Sequence, residues 1–215
     1  MERWSVAYQP LTTFSYRLPE QWSLISSASP VPAPMTVKLA LVGTALNYWG
    51  WERAREVFEL VAHAAVRIGV PEAIALNRVA LSRVTQLQTA PDKRGTNSGF
   101  REYALATGPF WVELPAHEIV VEAAKRVTYL GSGDSQVAFV GCVEHLLDDR
   151  LVIRKVSPDS DVAGDVVLWL PDLSDESKFE DVKKRLPMKT VDNLYAVPLR
   201  FTDRGDNWAL FIRNP

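Results

Sequence analysis

The order of its apolar segments constrains this chain more than any single motif. WSVAYQP at residues 4–10 is short, aromatic and partly alternating, which predicts a strand ending at Pro10. A polar loop runs to about Ser29. Three prolines in five residues (Pro30, Pro32, Pro34) then lead into LALVGTAL, so a helix apolar nearly all round is expected over about 35–48, with Pro34 and Thr36 suiting its start. Trp51 to Ile68 carries Val57, Leu60, Val61, Ala64 and Ile68 on one face and Glu52, Glu56, Glu59, His63 and Arg67 on the other. That pattern predicts an amphipathic helix closed by Gly69 and Pro71. Alternation in RVALSRVTQLQT and renewed β character in YALATGPFWVEL flank PDKRGTNSG, which reads as a turn-rich, positively charged loop. HEIVVEAAKRVTYL is helical again behind Pro115, and SQVAFVGCVE is a strand.

Through residue 142 the order is therefore strand, helix, strand, strand, helix, strand. This is the split βαβ pattern of an α+β, ferredoxin-like domain, an arrangement also used by RNA-recognition-motif domains. The expected organisation is one such domain over 1–145, with a basic hairpin inserted at about 78–103, and a smaller β-rich region over 146–215. LVIRKV, DVVLWLP, LYAVPLRF and WALFIRN are the expected C-terminal strands, joined by acidic loops such as SPDSD and PDLSDESKFED.

At 215 residues, 47% apolar and 23% charged, the chain can bury a substantial core. Its formal net charge of -2 rules out a globally basic nucleic-acid binder, so a polyanion would need a local patch. Cys142 is the single cysteine, which excludes an intramolecular disulfide, nearly excludes a Cys-based zinc site and points to a reducing compartment. MERWSVAYQP lacks the apolar stretch of a signal peptide, and no apolar run approaches the roughly 20 residues of a membrane span. A cytoplasmic protein without a membrane partner is expected.

Charge is unevenly spread. Arg78, Arg83, Lys93, Arg94 and Arg101 face one acid, Asp92, between residues 78 and 101, whereas residues 156–181 hold eight acids against Lys178. Two readings of the basic segment stand: a solvated loop whose arginines cap strand ends, or a hairpin reaching over a phosphate backbone. His63, His117 and His145 are the natural candidates for acid–base chemistry, but none lies in a serine, cysteine or metal motif. Cys142, within VAFVGCVE, reads as a buried, inert thiol. GSGDS at 131–135 precedes a strand rather than opening a helix, so a helix cap and turn account for Gly131 and Gly133 without a phosphate. Tyr48-Trp49-Gly50-Trp51 reads as an aromatic joint between two helices, or as a stacking surface for unpaired bases. Metal, cofactor and catalytic constellations are not expected.

Several of these segments, in this order, resemble Cas family five of the RAMP superfamily. They are the proline-rich approach PVPAPMTV with its small-residue helix LALVGTAL, the stretch FREYALATGPFWVEL, and TYLGSGDSQVAF. The likeness covers most of residues 4–142. Ala33 interrupts the proline run and Met35 replaces a small polar residue, both departures from the family pattern. The Arg-Glu-Tyr stretch leans towards the archaeal I-A type. The resemblance implies a ferredoxin-like fold and a non-catalytic subunit of a type I CRISPR Cascade that grips the 5′ handle of the guide RNA (crRNA). It also implies backbone partners of Cas family seven, a large subunit, and target DNA met through the complex. The matching thumb-like region assigns RNA contacts to Arg78, Arg83, Lys93, Arg94 and Arg101, with Lys38 and Tyr103 secondary. Lys38 could equally snorkel from the first helical turn to solvent. The alternatives are a metal-independent endoribonuclease that cuts repeat RNA, as in the type I-C branch, and a protein–protein adaptor without RNA affinity.

Overall fold

The computed structural model of the protein describes residues 3–18, 25–87, 90–131, 133–160, 162, 166–184 and 187–215, with the backbone alone for 17, 25–26, 83–87 and 90–98. Strand β1 (Arg3–Pro10) is followed by three two-residue strands, β2 (Tyr16–Arg17), β3 (Ile25–Ser26) and β4 (Ala28–Ser29). Helices α1 (Pro34–Trp49) and α2 (Trp51–Val61) lead to β5 (Arg67–Gly69), the long strands β6 (Ala73–Leu87) and β7 (Ala90–Ala106), and β8 (Phe110–Pro115). Helix α3 (Glu118–Ala124) precedes β9 (Val137–Val143). A 3-10 turn (Asp149–Leu151), β10 (Arg154–Lys155), β11 (Val166–Leu173) and α4 (Phe179–Lys184) come next. The last strands are β12 (Thr190–Val197), β13 (Leu199–Arg204) and β14 (Trp208–Arg213).

The central sheet has the order β5-β8-β1-β9, all antiparallel. Taking β1, β5, β8 and β9 as first to fourth, this is the strand order of a ferredoxin-like domain. Val6, Tyr8, Ile68, Phe110, Val112 and Leu114 belong to the same buried cluster as Leu41, Val42, Val57, Val61, Val120 and Ala123 of the helices. Burying each large aliphatic side chain contributes about 1.5–3 kcal/mol. Glu113, fully buried on β8, is held by Arg67 at 3.1 and 3.2 Å and lies 4.0 Å from Arg3, which answers the cost of a buried charge.

The proline run reaches α1 as a buried, extended segment: residues 28–34 are all buried. Prolines carry no backbone N–H, so the segment enters the interior with few donors to satisfy. Val31 N–H finds one partner in Ser29 Oγ at 3.2 Å. Pro34 opens the helix, where a missing N–H costs nothing. Gly50, at φ 83°, makes the corner between α1 and α2, a conformation that favours glycine.

Four local expectations change. The second helix stops at Val61 rather than Ile68, because Ile68 pairs with Val112 as the edge strand β5. The alternating segments at 74–87 and 103–106 do not join the central sheet (88–89 lie outside the described residues): β6 and β7 form a hairpin in a separate five-stranded sheet of order β13-β14-β6-β7-β3. PDKRGTNSG, expected as a loop, runs inside β7, since ladder pairing with β6 from Gln86↔Arg94 to Leu81↔Gly99 overrides its turn-forming composition. SDESKFED, expected as an acidic loop, contains α4, which Phe179 anchors against Phe58 and Trp51 at centroid distances of 5.8 and 6.0 Å.

The C-terminal strands divide between two sheets. β10, β12 and β11 form one, and β11 lies against α1, while β13 and β14 extend the hairpin sheet. No helix among the described residues is long and apolar enough to cross a membrane.

Candidate nucleic-acid interface

The basic segment of the sequence lies on the hairpin of β6 and β7. Fifteen and seventeen residues long, its strands span about 50 Å at the usual rise of an antiparallel strand. β14 pairs with β6 only over Ala73–Asn77 and β3 meets β7 at Phe100 and Arg101. Phe14 also bridges Ala104 of β7, and from Leu81 and Gly99 onwards the described ladder pairs are those between the two hairpin strands.

At the hairpin base the cations are already engaged. Arg78 sits opposite Glu102 in the ladder and bridges to it at 2.7 Å, while remaining 48% exposed. Arg101 is only 12% exposed: its guanidinium lies 3.0 Å from Asp134 Oδ2, donates to Ser15 Oγ at 3.2 Å, and stands 5.2 Å from the centroid of the Tyr103 ring. Arg101 thus ties the hairpin to the turn at 131–135. Arg83 and Arg94 lie further along the ladder, opposite Asn97 and Gln86, and Lys93 precedes Arg94; the side chains of all three lie outside the described residues.

Lys38 is the clear correction. It does not snorkel to solvent and lies away from the hairpin: it is 2% exposed, pairs with Asp172 at 2.8 Å, and donates to the Ala62 carbonyl at 2.8 Å. The ammonium sits at the C-terminal end of α2, where the helix carbonyls favour a positive charge.

Beside Arg101 a cavity of about 360 Å³ opens between the start of α1 and the turn, lined by Ser15, Tyr16, Ser29, Thr36 and Gly131 among others. Gly131 has φ 84°, and a Cβ there would lie 3.3 Å from Thr36 Cγ2, so the turn approaches the helix start closely. PVPAPMTV and TYLGSGDSQVAF, nearly a hundred residues apart in sequence, therefore meet in space. The first turn of α1 carries no acidic residue and no side-chain cap. Tyr16 Oη is buried without a hydrogen-bond partner, and burial pushes its ionisation well above the usual tyrosine range. Sequence reasoning missed Ser15, Tyr16 and Asp134 as neighbours of Arg101, because nothing in their spacing signals proximity to residue 101.

A larger cleft, about 960 Å³, lies between the end of α2 and β12 and is lined by Lys38, His63, Arg67, Lys155, Asp172 and Tyr195 among others. It holds both signs of charge. His63 Nδ1 is 3.7 Å from Asp175 at its exposed rim. His117 and His145 are exposed on other segments. Cys142 is partly rather than fully buried, and desolvation pushes its thiol up. Among the described residues no group of three His, Cys, Asp or Glu side chains could hold a metal ion.

A ferredoxin-like sheet with a long hairpin inserted between its second and third strands defines the class: an α+β protein of ferredoxin-like fold. The comparisons carry this further. No protein-family model matches the chain. It is 29% identical over 180 residues to the CRISPR-associated protein Cas5 of Archaeoglobus fulgidus, covering 79% of this chain and 78% of that one. Its fold is similar to that of a solved CRISPR protein from Archaeoglobus fulgidus, with a TM-score of 0.50 and 17% identity over 100% of this chain and 93% of the other. Over about four-fifths of its length the chain is thus similar to a Cas5 protein, in keeping with the resemblance of its motifs.

Proposed function

We propose that this chain is a non-catalytic, guide-RNA-binding subunit of a type I CRISPR Cascade effector that grips the 5′ handle of the guide. One observation carries the reading: the insertion, with five cations to two acids over 78–103, is an extended hairpin rooted where Arg101 joins it to the turn at 131–135, beside the start of α1. An extended basic ladder suits a single strand held by its phosphates, with bases splayed for stacking. Arg78, Arg83, Lys93, Arg94, Arg101 and Tyr103 remain the proposed RNA contacts; Lys38 is withdrawn. In this reading the neighbours are Cas family seven backbone subunits and a large subunit, with target DNA met through the assembled complex.

Binding of a labelled repeat-derived RNA strand, measured at several salt concentrations, tests the proposal. Replacing Lys93, Arg94 and Arg101 with Ala should weaken binding and reduce the salt slope by about 0.7 per lost phosphate contact on a single strand. Unchanged affinity and slope would remove the hairpin from the interface. The same RNA should stay intact in EDTA. Discrete cleavage that disappears in His→Ala variants would replace this reading with the endoribonuclease.

A further inference from the structure

Strands β14, β6 and β7 bring Trp208, Asn77 and Tyr103 into one row, because Trp208 lies opposite Asn77 and Asn77 opposite Tyr103. Residues directly opposite in antiparallel strands share a face. An aromatic ring, an amide and a second ring therefore stand side by side, the outer two about 10 Å apart by two interstrand spacings. Leu210, Ala75 and Leu105 form the next row on this face, and Val79 and Arg101 the row on the other side. Trp208 is 41% and Leu105 55% exposed, and Asn77 is exposed as well.

The chemistry of the row says what covers it. The Trp208 indole lies over Gly205, where any Cβ would overlap it, so the ring is seated on backbone while keeping exposed surface. Arg101, in the next row, stands over the Tyr103 ring in a cation–π pair at the root of the hairpin. An apolar protein surface laid on this row would strand the exposed Asn77 amide without a partner. Unpaired bases would not: rings stack on their faces, and an amide offers both donor and acceptor to their edges. From this row the hairpin runs on with its excess of cations, the charge complement of a phosphate backbone. At the opposite margin β13 and its turn balance Asp203 and Asp206 with Arg200 and Arg204, so the excess of positive charge lies on the hairpin side of the row.

We propose that Trp208, Asn77 and Tyr103 form a stacking platform for two unpaired bases of a single-stranded RNA, whose backbone crosses β14, β6 and β7 and continues along the basic hairpin. The inference deepens the RNA-binding reading and rests on it.

The test compares wild type, Trp208→Ala, Trp208→Phe and Tyr103→Ala for binding to the repeat-derived strand, either free or annealed to its complement. Trp208→Ala and Tyr103→Ala should each lower affinity for the free strand about ten- to a hundredfold with an unchanged salt slope, since stacking removes no phosphate contact. Trp208→Phe should stay within a few-fold of wild type, which separates stacking from a folding defect. Abasic substitutions in the RNA should reproduce the loss, and one of them should add nothing further in Trp208→Ala. Wild-type affinity in both Ala variants would overturn the platform while leaving the RNA-binding reading intact. So would normal RNA binding combined with lost assembly with other subunits, which would make the face a protein contact. No RNA binding by the wild type would instead overturn the underlying reading.

Discussion

Lys38 Nζ lies 2.8 Å from Asp172 Oδ1, so the first turns of α1 are joined to β11 by an ion pair whose cation is almost completely buried. The same ammonium donates to the Ala62 carbonyl at the end of α2. One side chain thus links two helices of the ferredoxin-like core to the C-terminal sheet.

Removing one partner of such a pair strands the other. Asp172→Ala should destabilise the protein by about 3 kcal/mol, and the double variant Lys38→Met, Asp172→Leu should recover most of that loss. Urea unfolding of the three proteins provides the measurement. RNA binding by the double variant should match wild type, because the pair faces the other cleft.

Arg101 shares its guanidinium with Asp134, which is half-exposed. A phosphate must compete with that carboxylate. Asp134→Asn should therefore raise affinity for repeat-derived RNA by about two- to fivefold, the scale of a partly exposed ion pair, while Arg101→Ala lowers it. Equal affinities in the two variants would place Arg101 in a purely structural role.

Gly131 combines a left-handed backbone with close approach to Thr36. Gly131→Ala should cost about 1–2 kcal/mol from the backbone conformation alone, and Gly131→Val more, from overlap with Thr36 and Tyr16. Gly133, where a Cβ would meet nothing within 4 Å and whose φ is not left-handed, is the control: Gly133→Ala should unfold with wild type.

Burial, with the charge of Asp172, pushes the Tyr195 phenol up to about 12, above its ordinary value near 10. The folded state thus holds this proton more tightly than the unfolded chain. The associated stability is complete below pH 10 and is lost as pH rises towards 12, by at most about 1.4 kcal/mol per pH unit. Tyr195→Phe should flatten that decline in a base titration of unfolding. Tyr8 and Tyr16, also raised by burial, will supply the remainder.

Periodicity alone determined much of the scaffold. β1, α1, α3 and β9 follow directly from WSVAYQP, LALVGTAL, HEIVVEAA and SQVAFVGCVE, because a long apolar face has one inexpensive way to be buried. The basic excess of 78–101 and the two motif halves that meet at Gly131 were equally visible in the order of residues. Only the tertiary structure decided which strands entered the core sheet. Arg67–Gly69 is too short to show alternation and exists as a strand through its pairing with β8, whereas the strongly alternating β6 was free to leave for a separate sheet with β7 and β14. PDKRGTNSG became a strand for the same reason, since ladder hydrogen bonds from a partner outweigh local turn preference. Tertiary packing also settled the fate of Lys38, whose spacing marks a helix start but whose partner, Asp172, lies 134 positions further along the chain. The row of Trp208, Asn77 and Tyr103 was invisible for a related reason: strand registers, not sequence distance, set which side chains stand together on a face.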